Sequence, residues 1–118
     1  MKLLTSAQRA TLIKNHEVNV AAILKDGNTV DFKPVVKLFN PCGAATWLIT
    51  ELDPTINIMF GLCDIGLGFP EIGEVSLDEL TEYKNAWGLG IERDIHWEAE
   101  KTLSEYATEA RSRGCINV

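Results

Sequence analysis

Residues 35–63 read VVKLFNPCGAATWLITELDPTINIMFGLC, and this stretch decides the fold. Three runs rich in Val, Ile, Leu, Thr and aromatic residues, Val35–Phe39, Thr46–Leu52 and Ile56–Cys63, are divided by Asn40-Pro41-Cys42-Gly43 and by Asp53-Pro54. Such runs fit a pleated, half-buried surface, and Asn, Asp, Pro and Gly between them supply the backbone angles of tight turns. Strands joined by turns this short lie antiparallel. In the third run Ile56, Ile58, Phe60 and Leu62 alternate, which gives that strand one apolar face.

Outward from this block the pattern continues. Upstream, Val18–Leu24 and Thr29–Phe32 flank Asp26-Gly27, a strong hairpin signal, and Pro34 ends that unit. Downstream, Gly66, Gly68 and Pro70 break the chain before a short strand, Ile72–Val75, and Ile91–Trp97 reads as the last strand. Three capping-box patterns announce helices. Thr5-x-x-Gln8 opens Ser6–Asn15, with Ala10 and Ile13 on one face and His16 at its close. Ser76-x-x-Glu79 opens Leu77–Lys84, with Leu77, Leu80 and Tyr83 as its stripe. Thr102-x-x-Glu105 opens a third helix, in which Leu103, Tyr106, Ala107 and Ala110 share a face, Arg111 and Arg113 suit the negative end of the helix dipole, and Gly114 supplies the stop. The expectation is one α+β domain over residues 1–118: a small, mainly antiparallel sheet with an N-terminal, a middle and a C-terminal helix.

Composition narrows the function classes. With 118 residues the chain can bury one core without a metal or a disulfide. A formal net charge of −6 argues against nucleic acid held on a broad basic surface and favours a partner with a basic one. No apolar run reaches the length of a membrane helix, and Met1–Ser6 turns polar too soon for a signal peptide, so a cytoplasmic location is expected. Cys42, Cys63 and Cys115 are odd in number and widely spaced, which fits reduced, packed thiols rather than a disulfide framework.

Candidate functional residues fall into two sets. Glu51, Asp53, Asp64, Glu71, Asp94 and His96 offer carboxylate and imidazole ligands, the donor set of a metal-dependent hydrolase or nuclease if they converge. The second set is Asp64, Phe69, Glu71 and Trp87, a partner-binding group on two loops. In the Gly-rich segment Gly66–Gly73, Phe69 and Pro70 are expected to pack against the sheet near Trp47, leaving Asp64 and Glu71 together on one rim. Trp47 and Trp97 fall on core faces, whereas Trp87 in Asn85-Ala86-Trp87-Gly88 either caps the core or anchors a partner. No cofactor is expected. Gly66-x-Gly68 is followed by Glu71 where a dinucleotide fingerprint needs glycine, and there is no P-loop lysine. Nothing local supports Cys63 and His96 as a nucleophile and its base.

Several of these motifs together resemble one bacterial family. They are Val35-Val36-Lys37-Leu38-Phe39, Ala45-Thr46-Trp47-Leu48-Ile49-Thr50-Glu51-Leu52-Asp53, Phe60-Gly61-Leu62-Cys63-Asp64-Ile65-Gly66-Leu67-Gly68-Phe69-Pro70-Glu71 with Val75-Ser76-Leu77, and Glu92-Arg93-Asp94-Ile95-His96-Trp97. The chain is similar across nearly its whole length to the domain of unknown function 2958. The resemblance implies a small single domain encoded on a plasmid, integrative element or phage, and it carries over no catalytic residues. Small acidic proteins of such elements often bind host machinery. The expected function is therefore that of an interaction protein, an inhibitor of a host restriction or CRISPR complex, whose partner is a host or element-encoded protein. Metal-dependent hydrolysis is the alternative.

Overall fold

The structure is a computed structural model that describes residues 2–118. Among these residues it has three helices and five strands: α1 (Ser6–Lys25), β1 (Val36–Phe39), β2 (Thr46–Asp53), β3 (Ile58–Asp64), β4 (Glu71–Ser76), α2 (Leu77–Glu82), β5 (Glu92–Arg93) and α3 (Leu103–Arg113). The strands form one antiparallel sheet in the order β4-β3-β2-β1-β5. The α+β expectation holds, and the three capping patterns mark the three helix starts. Thr5 Oγ1 accepts from Gln8 N at 3.0 Å, Ser76 Oγ accepts from Glu79 N at 3.1 Å, and Glu105 reaches back to Thr102 N at 3.0 Å. Gly114, at φ +80°, ends α3.

Each face of the sheet carries its own core. On one, Val36, Leu38, Trp47, Ile49, Leu52 and Met59 pack with Leu3, Leu4, Leu12, Leu77, Leu80 and Ile91. On the other, Leu48 and Leu62 meet Leu103, Tyr106, Ala107 and Ala110 of α3, and Trp97 lies against Tyr106 with ring centres 5.9 Å apart.

A β-bulge in β2 resets which of its side chains reach each face of the sheet. Ile49 pairs with Gly61, but the next pair is Glu51 with Phe60, so Thr50 is the extra residue. Were Thr50 paired in register instead of bulged, strict alternation would put Glu51 on the face of Ile49 and send Leu52 to the other. With the bulge, Leu52 stays in the first core, while Glu51 and Asp53 join Phe60 and Ile58 on the second face. Thr50 is buried, its hydroxyl donates to the Phe60 carbonyl at 3.3 Å, and its carbonyl accepts from Asn15 Nδ2 at 2.9 Å. Gly61 makes the bulge possible, because a Cβ there would lie 2.0 Å from the Leu48 carbonyl oxygen.

Five expectations are corrected. Val18–Leu24 is no strand. α1 runs on through it to Lys25, and the Asp26 and Gly27 amides both donate to the Ala22 carbonyl, closing the helix rather than turning a hairpin. Thr29–Phe32 is accordingly an extended strap and not the second arm of a hairpin. The last strand shrinks from Ile91–Trp97 to Glu92–Arg93, since β1 offers it only Leu38 and Phe39 as partners. The Gly-rich loop does bury Pro70, but Phe69 is 79% exposed and does not pack near Trp47. The thiols also differ from expectation: Cys42 and Cys115 are exposed and only Cys63 is half-buried.

Candidate functional site

Where α3 stops covering the second face, the sheet is left open and forms the floor of a cleft of about 690 Å³, a size that suits a small organic ligand. The floor is made by Glu51, Asp53, Ile58, Phe60, Ile72 and Glu74, brought to one face by the bulge and by the registers Glu51–Phe60 and Phe60–Glu74. The second half of α1 makes one wall through His16, Asn19, Val20 and Ile23. The strap, through Thr29, Val30, Asp31 and Phe32, and the start of α3, through Leu103 and Ser104, line it as well, and Thr50, Ile56 and Met59 complete the lining.

Hydrogen bonds hold the strap in place. Asn19 is buried; its Oδ1 accepts from Val30 N at 2.8 Å, and its Nδ2 donates to the Val30 carbonyl at 3.2 Å and to Glu51 Oε2 at 2.9 Å. At the far end the Phe32 carbonyl accepts from Leu103 N at 2.9 Å, and Asp31 accepts from both the amide and the hydroxyl of Ser104. Burial alone would raise the Asp31 carboxyl, but its bonds from Ser104 and Thr102 outweigh that and leave it below the ordinary range. Glu51 behaves in the opposite way. Burial pushes its carboxyl up, against the Asn19 amide and the nearby His16. His16 Nε2 stands 3.7 Å from Asp53 Oδ2. The lining carries four carboxyl groups, Asp31, Glu51, Asp53 and Glu74, and, among the described residues, no Lys or Arg.

The structure scatters the six residues read as metal ligands. Glu51 and Asp53 enter the cleft at one end of β2. Asp64 lies at the opposite end of the sheet, opposite Thr46, and is 1% exposed. Its two oxygens are occupied by Gly66 N at 2.8 Å and Ile116 N at 2.9 Å, so it ties the Gly-rich loop to the C-terminal segment and presents nothing to a partner. Glu71 is exposed and pairs with Cys63, one residue out of step with Asp64. The two carboxyls thus point to opposite faces and share no rim. Asp94 faces Lys37 at 3.5 Å and accepts from His96 N at 3.2 Å, while His96 is exposed beyond β5. Among the described residues no three His, Cys, Asp or Glu side chains are grouped to hold a metal ion. Cys63 is pushed up to about 11 by burial, so it is a protonated thiol at neutral pH and a poor nucleophile.

The two loop candidates are the more telling. Ile65, Leu67 and Phe69 stand out together from the β3–β4 loop. Trp87 is 81% exposed on a turn fixed by Asn85, whose Oδ1 accepts from the amides of Trp87 and Leu89, each at 2.9 Å. Residue-by-residue reading missed the cleft residues His16, Asn19, Asp31, Phe60 and Glu74. One signal was present: Gly61, isolated within a strand pattern, is the mark of a bulge or a close backbone approach.

A family described as a protein of unknown function, DUF2958, matches residues 3–117. No curated protein and no solved structure matches the chain. Among the described residues no helix is long and apolar enough to cross a membrane.

Proposed function

Since the chain belongs to the DUF2958 family, we propose from its surface that it acts by binding another protein, docking through the β3–β4 loop. The observation behind this reading is the joint exposure of Ile65, Leu67 and Phe69 on a loop whose base is fixed by Asp64. Burying one such side chain contributes roughly 1.5–3 kcal/mol, which a monomer forgoes at all three positions and a complex recovers. A neighbouring set of apolar side chains in water marks an interaction surface more often than scattered single ones do. Because Asp64 fixes the loop, little ordering entropy remains to be lost on docking. Trp87, on its own fixed turn, is a second anchor of the kind found at interface centres.

The partner we assign is a host protein with a basic surface, in keeping with the net charge of −6 and exposed Glu71 at the loop's end. The family resemblance supports an origin on a plasmid, integrative element or phage, and the finer proposal is inhibition of a restriction or CRISPR complex in the bacterial cytoplasm. Asp64 drops out of the partner-binding set because it is turned inward; Phe69, Glu71 and Trp87 remain. The test is a transformation assay in cells carrying an active defence system, with purified defence complexes used for direct binding. Wild-type protein should raise the transformation efficiency and bind one complex, and Phe69→Ala should lose both. Equal activity of Phe69→Ala and wild type would exclude the loop as the docking element, and inactivity of the wild type across restriction and CRISPR systems would exclude the anti-defence role.

A further inference from the structure

We propose that the cleft under the second half of α1 is a binding site for a small organic cation with an apolar body, of the arylalkyl-ammonium class. The inference starts from the sheet register. Glu51, Phe60 and Glu74 sit directly opposite one another on three adjacent strands, and all three line the cleft. Neighbouring strands are about 4.8 Å apart, so the two carboxylates straddle one aromatic ring from positions about 10 Å apart. An ammonium group between them gains two charge-assisted contacts and the negative face of a ring. Neither an anion nor a neutral body of the same shape gains these.

The walls supply the rest independently of charge. Val20, Ile23, Ile56 and Ile72 line the cleft and are among the large apolar side chains the protein leaves in water. A ligand with an apolar body covers them; a bare metal ion or a simple polyamine does not. Electrostatics select the sign. The chain has 11 Lys and Arg residues, yet among the described residues none lines the cleft, and its one imidazole already faces Asp53. Burial of Glu51 adds to the preference, because a cation beside it relieves the cost of holding that carboxylate away from water. The strap and Asn19 keep the site formed before any ligand arrives. No protein partner is needed, so this site stands or falls apart from the loop reading above.

Tryptamine and its neutral isostere tryptophol make a matched pair of probes, titrated into isotope-labelled protein and followed by amide chemical shifts. Tryptamine should move amides of α1, the strap, β3 and β4 around the cleft, with tryptophol weaker by about tenfold or more, the scale of one charge-assisted contact. Glu74→Gln, and the double variant Glu51→Gln/Glu74→Gln, which keeps an acceptor for Asn19, should each lose that preference. The single variant guards against a double variant that folds poorly. Equal affinity for the two probes, unchanged tryptamine binding in Glu74→Gln, or millimolar tryptamine that moves no cleft amide would each overturn the proposal.

Discussion

Glu51 and Cys63 show how burial sets chemistry at single side chains. Burial holds the Glu51 carboxyl above its ordinary value of 4.5, with the Asn19 amide and His16 opposing it. The folded protein therefore binds this proton more tightly than the unfolded chain does. That contribution is complete below the ordinary glutamate value and is lost as pH rises through the elevated one. Glu51→Gln removes the titration and keeps an acceptor for Asn19. In urea unfolding the variant should gain stability relative to wild type as pH is raised from about 4 to about 7; a difference that does not change with pH would contradict this. Cys63 is half-buried and its thiol is pushed up to about 11, whereas Cys42 and Cys115 are exposed. A disulfide-exchange reagent near neutral pH should thus modify two thiols quickly and the third at least about tenfold more slowly, because only the thiolate attacks. Three equal rates would show that Cys63 opens freely to solvent.

At the level of elements, the bulge in β2 decides what the second face can do. It requires β3 to pass close to the Leu48 carbonyl, and only glycine fits at Gly61. Gly61→Ala should cost about 3 kcal/mol in chemical denaturation, the upper end of ordinary overpacking. Gly73 lies directly opposite Gly61 in β4, and a Cβ added there would meet nothing within 4 Å, so Gly73→Ala should leave stability within about 0.5 kcal/mol. Equal costs at the two positions would remove the close-approach argument. The bulge also accounts for the misleading pattern along α1. The buried positions of that helix are Leu12, Asn15 and Asn19, a helical spacing in which two of three residues are asparagine. Those asparagines serve the bulged strand and the strap, while Val20 and Ile23 face the cleft. Apolar periodicity therefore breaks down after Ile13, and β-branched Val18 and Val20 imitate a strand. The Asp26-Gly27 pair strengthens that imitation, since the same residues that turn a hairpin also end a helix.

Across the whole molecule, working surfaces and cores are separate. Both cores lie against the sheet, while Phe69 and Trp87 stand outside them at 79% and 81% exposure. Phe69→Ala and Trp87→Ala should consequently leave the melting temperature within about 2 °C of wild type, the change expected of surface positions. A fall of more than about 5 °C for Phe69→Ala would return that ring to the core. By itself the sequence determined the α+β class, the three helix starts, the strands from Val36 to Ser76 and the stop at Gly114, because caps, turns and alternation are written in residues a few positions apart. It also determined the family, through motifs spread along nearly the whole chain. Tertiary structure alone decided the reach of α1, the inward turn of Asp64 toward Ile116 and the joining of Glu51, Phe60 and Glu74 in one cleft. These depend on strand register and on contacts between residues far apart in the chain, and the bulge at one residue, Thr50, reverses the facing of everything after it in β2.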